Sequence, residues 1–100
     1  MANKKSHYIY ILKLIPRLVI ESNWSKEDEE IVDRHFKALQ ELLKEGRLIL
    51  AGKTSGLDDS TFGIVILEAD SEEKAREIME ADPSVKGGIM NAELFPFDLA

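Results

Sequence analysis

The sequence contains no cysteine, which excludes a disulfide, a thiolate zinc site and a cysteine nucleophile. That absence is compatible with a reducing compartment, and the expectation is a cytoplasmic protein. Long apolar runs are missing as well. The basic start Met1-Ala2-Asn3-Lys4-Lys5-Ser6-His7 leads into an apolar stretch that Lys13, Pro16 and Arg17 interrupt, so it reads as neither signal peptide nor membrane span. Basic clusters are absent too. The net charge is −6, with nine basic and eight acidic groups in residues 1–50 against four and eleven in residues 51–100, so the halves carry +1 and −7. Counterion release on a phosphate backbone needs clustered Lys and Arg, and no nucleic-acid partner is expected. There is also no Gly-rich phosphate loop, no H-E-x-x-H pair, no G-x-S-x-G elbow and no His/Asp/Glu cluster with metal spacing. No cofactor and no metal are expected.

What is present describes one globular domain over residues 1–100, with 44% hydrophobic and 32% charged residues and neither repeat nor linker. His7 to Ile15 sets Tyr8, Tyr10, Leu12 and Leu14 on one face and Ile9, Ile11, Lys13 and Ile15 on the other, the pattern of a strand apolar on both sides. Ser25 reads as the N-cap of a long helix whose first turn is acidic and which ends near Glu45. Ile31, Val32, Phe36, Leu39, Leu42 and Leu43 form its apolar side, and Gly46 stands where a left-handed cap belongs. "RLILAG" and "TFGIVILEA" read as a hairpin around a polar loop. Asp70 or Ser71 caps a second helix bearing Ala75, Ile78, Met79 and Ala81, and "GGIMNAELFPF" closes as the last strand. The order β-α-β-β-α-β predicts an α+β, ferredoxin-like sandwich with both helices on one face of an antiparallel sheet. Two helices cover one face only. The apolar second face therefore predicts a homodimer stacked sheet on sheet.

Two residues carry the chemical interest. His35 lies four residues after Ile31 and four before Leu39, which puts a titratable ring on the apolar stripe of the first helix. It reads either as a core-edge histidine bound to a carbonyl or as a proton donor and acceptor working near neutral pH. His7 has the weaker claim. Asp82 precedes Pro83, which ends the second helix there and sets a carboxylate at its unfavourable negative pole. It reads either as an Asp-Pro turn or as a carboxylate held to orient another group, with His35 or Lys86 as the compensating cation. Pairing Asp82 with His35 would relieve both the dipole penalty and the cost of an unpaired ring on an apolar stripe. Ser84, beside Asp82, reads as a structural hydroxyl, since nothing around it forms a nucleophile elbow. Arg17 and Trp24 fall near the first strand-helix connection, where they read as a surface cation and an aromatic at the helix start or as contacts for an anionic or planar ligand.

The segments "RHFKALQELLKEGRLILAG", "SEEKAREIMEADP" and "GGIMNAELFPF" resemble the YCII-related family, in order and spacing from about His7 to Phe97. The resemblance implies a dimeric ferredoxin-like α/β barrel, a small organic ligand, and His35 with Asp82 as the catalytic pair of an isomerase- or lyase-like enzyme. In that reading Asp82 fixes the imidazole tautomer and the other ring nitrogen moves a substrate proton. Two positions depart from the family pattern: Ser84 replaces a bulky apolar residue, and Lys53 stands where many relatives have proline. Lys53 reads as a solvated loop residue or as a cation added to the pocket. From other classes come a noncatalytic dimeric ligand-binding or assembly module and an RNA-recognition domain, which shares the topology and which "STFGIVIL" echoes. The echo fails where it matters, because Ser60 and Thr61 replace the basic residue and the glycine, and Ile64 and Leu67 stand where aromatics would stack on bases.

Overall fold

The computed structural model describes residues 6–100. Strand β1, Ser6–Leu14, leads through two short 3-10 turns, Pro16–Val19 and Glu21–Asn23, into helix α1, Lys26–Lys44. Ser25 caps that helix reciprocally. Its hydroxyl accepts from the Asp28 N–H at 3.1 Å while the Asp28 carboxylate accepts the Ser25 N–H at 2.9 Å. At the other end Gly46 takes φ +76°, and the Gly46 and Arg47 N–H groups bond back to Leu43 and Leu42, a left-handed termination that glycine tolerates without strain. Strands β2, Leu48–Lys53, and β3, Gly63–Ala69, form the hairpin. Helix α2, Glu72–Ala81, begins at Ser71, whose hydroxyl accepts from Lys74 N–H.

The chain does not simply turn after α2. Pro83 restarts helical geometry in a four-residue helix, α3, Pro83–Lys86, before β4, Met90–Phe97. As expected, α2 ends at Asp82, its C-cap; the backbone bends there, and the carboxylate in addition caps α3 by accepting from Ser84 N–H at 2.9 Å. Among the described residues Lys86 makes no bond to it. At Gly87 a side chain would lie 2.8 Å from the Pro83 carbonyl and 3.2 Å from Ile31, so the missing side chain lets α3 close against α1.

The four strands pair antiparallel in the order β2-β3-β1-β4, with a bulge between Leu48 and Leu50. Register sorts their side chains. Tyr8 faces Leu67, Tyr10 faces Val65 and Leu12 faces Gly63, and this face packs against Leu39 of α1 and Ala75 and Met79 of α2 in the main core. The sheet is open, and both longer helices lie on one side of it, as the ferredoxin-like reading requires. Its opposite face carries Ile9, Ile11, Ile64, Ile66, Leu50 and Phe95, of which Leu50 and Phe95 are exposed. Not every apolar position of α1 reaches the core. Phe36 and Leu43 are exposed, because the stripe is wider than the strip of sheet beneath it. No helix among the described residues is long and apolar enough to cross a membrane.

Candidate active site

His35 lies at mid-helix on the side of α1 that faces the sheet and α3, and Asp82 lies at the junction of α2 and α3. The fold brings them together across 47 residues: His35 Nδ1 is 2.7 Å from Asp82 Oδ1, with both residues about 95% buried. The same carboxylate accepts the Tyr10 hydroxyl on Oδ2 at 2.7 Å and the Ser84 N–H and hydroxyl on Oδ1 at 2.9 and 2.8 Å. Burial is the largest influence on Asp82 and opposes its charge. The bond and charge of His35, then the donors on Tyr10 and Ser84, outweigh it and hold the carboxyl below its usual range. Tyr10 is pushed the other way, far above an ordinary phenol, first by burial and then by the neighbouring Asp82 charge. An ionised carboxylate has no proton to give, so Nδ1 of His35 carries the hydrogen of the shared bond. That leaves Nε2 as the variable atom. It has no hydrogen-bond partner among the described residues and yet is not sealed from solvent, since no buried side-chain nitrogen or oxygen goes unbonded.

His35 lines a cavity of about 600 Å³, a size suited to a small organic molecule. The walls come from α1 through Val32, Phe36 and Leu39, from the sheet through Leu12, Val65 and Met90, and from the hairpin loop through Leu57 and Phe62. Phe36, exposed in the wrong place for a core residue, is therefore accounted for as a cavity wall, its ring 5.3 Å from that of His35. Trp24 lines the cavity too, fixed by its Nε1–H donating to the Leu18 carbonyl at 2.8 Å. Arg17 does not reach it. Its guanidinium makes a two-pronged pair with Asp28 at 2.8 and 2.9 Å, which draws the Asp28 carboxyl well below the usual range. Ser84 is fully buried behind Asp82 and is no nucleophile. His7 pairs with Glu68 at 3.2 Å on the open face of the sheet, away from the cavity. Among the described residues no three His, Asp or Glu side chains converge as a metal site would require.

Sequence reasoning missed Tyr10. Its hydroxyl, like that of Tyr8, lies on a face of β1 that otherwise reads as core, and a tyrosine fully buried there needs an acceptor. That requirement was the available signal. Ser84 was weighed and set aside as structural; the structure gives that role its content, because its hydroxyl and N–H both donate to Asp82.

Comparison with known proteins bears on fold and family. The structure aligns with a 5-chloro-2-hydroxyhydroquinone dehydrochlorinase from Burkholderia phenoliruptrix AC1100, solved in complex with 2,5-dihydroxybenzoquinone. The TM-score is 0.70 at 20% identity over 94% of this chain and 95% of that one, a likeness of fold. In sequence, the chain is 39% identical over 71 residues to the uncharacterized protein YjpA of Bacillus subtilis (strain 168), which spans 71% of this chain and 80% of that protein. The model of the YCII-related domain matches residues 8–98, nearly all of the residues that build the sheet, the helices and the cavity. The chain belongs to the YCII-related domain family.

Proposed function

We propose that this protein is a small-molecule enzyme in which His35 moves a substrate proton at Nε2 while Asp82 holds the ring through Nδ1. The observation that carries this reading is the asymmetry of the imidazole: one nitrogen is bonded to a buried carboxylate at 2.7 Å, and the other has no hydrogen-bond partner among the described residues, on a ring that lines an apolar cavity. Neutral His35 accepts a proton from a carbon next to a carbonyl, and the bonding electrons pass onto that carbonyl as an enolate. Returning the proton at another atom completes an isomerisation; expelling a leaving group from the adjacent carbon completes an elimination. Asp82 stays ionised in both and steadies the imidazolium that forms. The dehydrochlorinase of similar fold belongs to the second type, which makes hydroxylated ring compounds sensible first substrates.

A second copy of the chain completes the proposal. The open face sets Ile9, Ile11, Ile64 and Phe95 in its middle and charges of both signs, Glu68, Lys13 and Glu93, around them, so a two-fold partner can match apolar centre to apolar centre and opposite charge to opposite charge. Phe95→Lys is then expected to shift the molecule from dimer to monomer in light scattering. A wild-type monomer at micromolar concentration would remove the dimer from this reading.

The alternative, a noncatalytic dimeric binding module, uses the same cavity and differs in one result. Metabolites that raise the melting temperature are incubated with enzyme in D₂O and followed by proton NMR. Deuterium uptake or product formation by wild type, lost in His35→Gln, is the expected outcome. Stabilisation without exchange, equal in both proteins, would overturn the catalytic reading and leave the binding module.

A further inference from the structure

The floor of the cavity is a row of three residues across the sheet. Leu12 pairs with Gly63, and Gly63 pairs with Lys53, so β1, β3 and β2 each contribute one position to the same line. Leu12 belongs to the helix-covered core face, and Lys53 stands two residues after Ala51 in β2, so its side chain rises on that face as well. Between them Gly63 contributes no side chain. A Cβ added there would meet the Gly52 carbonyl oxygen at 3.4 Å and the Lys53 and Leu12 Cβ atoms at 3.7 and 3.8 Å, ordinary contact, so a longer side chain would occupy the cavity itself.

The charge of the lining is one-sided. No Asp or Glu lines the cavity in a protein of net charge −6, and Lys53 is the single lysine or arginine among the lining residues. Lys44 and Lys74 each sit beside a glutamate of their own helix, whereas Lys53 makes no ion pair among the described residues. Its Nζ donates to the Thr54 carbonyl at 2.9 Å and the Gly56 carbonyl at 3.2 Å. An ammonium has three donors, so one is left over. Lys53 itself is exposed, so its charge stands at the rim of the cavity, where it draws an entering anion.

We infer that Lys53 is the specificity-determining residue of the cavity and that its ligand is a small, largely apolar carboxylic acid. The third Nζ donor takes a carboxylate oxygen, Gly63 provides room for the carbon frame, and the ligand's far end meets His35. This inference rests on the cavity being the substrate site and adds the class of molecule it takes.

The test pairs acids with their uncharged primary amides: benzoate with benzamide, 3-hydroxybenzoate with 3-hydroxybenzamide, hexanoate with hexanamide. Binding is read by NMR from the Trp24 indole signal in wild type, Lys53→Met, Lys53→Arg, Lys44→Met and Gly63→Leu. A charge-assisted hydrogen bond implies that at least one acid binds wild type about tenfold or more tighter than its amide. Lys53→Met should abolish that preference while still binding both members of the pair, Lys53→Arg should keep it, and Lys44→Met, which removes an equal charge elsewhere, should leave it unchanged. Gly63→Leu should weaken acid and amide alike. Equal binding of acid and amide to wild type, a preference that survives Lys53→Met, or undiminished binding of both members by Gly63→Leu would overturn the inference and leave the proton-transfer reading standing. If no pair moves the Trp24 signal at millimolar concentration, the inference and the substrate cavity beneath it both fall.

Discussion

Asp28 and Asp82 are two buried carboxylates built from the same local parts. Each caps the start of a helix, and each is held by the N–H and hydroxyl of a serine within three residues, Ser25 for the first and Ser84 for the second. They differ in the third partner. Asp28 is closed by both prongs of Arg17, a cation with no proton to give near neutral pH, and nothing in the arrangement remains to react. Asp82 is closed by a titratable ring whose other nitrogen is open, and by a phenol that anchors its second oxygen. The lesson is that burial and a lowered pKa do not by themselves mark an active carboxylate, since both groups have them. The partner and what lies beyond it decide.

The comparison can be broken most directly at Asp82. Replacing it by alanine leaves His35, Tyr10 and Ser84 without their common acceptor, and the loss of a buried, multiply bonded carboxylate should cost about 3–5 kcal/mol, read by urea denaturation. A loss below about 1 kcal/mol, the range of an exposed pair, would make Asp82 the equal of a surface turn residue.

A smaller change separates the anchor from the partner. Tyr10→Phe removes one donor to a charged oxygen, expected to cost about 1.5–3 kcal/mol. In NMR it should keep the His35 Nδ1–H resonance in place, where Asp82→Asn should move it. If Tyr10→Phe displaces the ring as far as Asp82→Asn does, the phenol and the carboxylate act as one unit.

Arg17→Gln should be milder again, because half of the Arg17 side chain is already in water, and it should leave ligand binding in the cavity unchanged. Altered binding would put Arg17 back among the site residues.

Acid sharpens what the two carboxylates share. Each has its folded pKa drawn below the unfolded value, so each contributes stability that is fully present above an unfolded Asp pKa of about 3.9 and is lost as pH falls through the folded value. The stability gap between wild type and Asp82→Asn should therefore narrow as pH is taken from about 4 downward. A gap that widens on acidification would reverse the sign and with it the assignment of Asp82 as ionised.

Much of this was written locally. Ser25 with Asp28, Gly46 after α1 and Ser71 before α2 all mark ends that the structure keeps, because a cap is satisfied by atoms within a few residues. The period of two in β1 and the helical spacing around His35 likewise sufficed to order the elements and to single out one ring on an apolar stripe. Asp82 was legible as unusual because it ends α2, and its pairing with His35 is as the sequence suggested; what the sequence did not show is that the same carboxylate also caps α3.

Sequence by itself therefore determined the four strands, the two longer helices with their caps, and the two residues of the candidate pair, since hydrophobic period and capping act over distances a short window contains. Tertiary structure decided the rest. The Tyr10 contact to Asp82 spans 72 residues and depends on strand order; the exposure of Phe36 depends on how much sheet lies beneath α1; and the meeting of Leu12, Gly63 and Lys53 in one row depends on the register of three strands. No local pattern encodes these, because each is fixed by the simultaneous packing of elements distant in the chain, and that packing opens a cavity lined by His35.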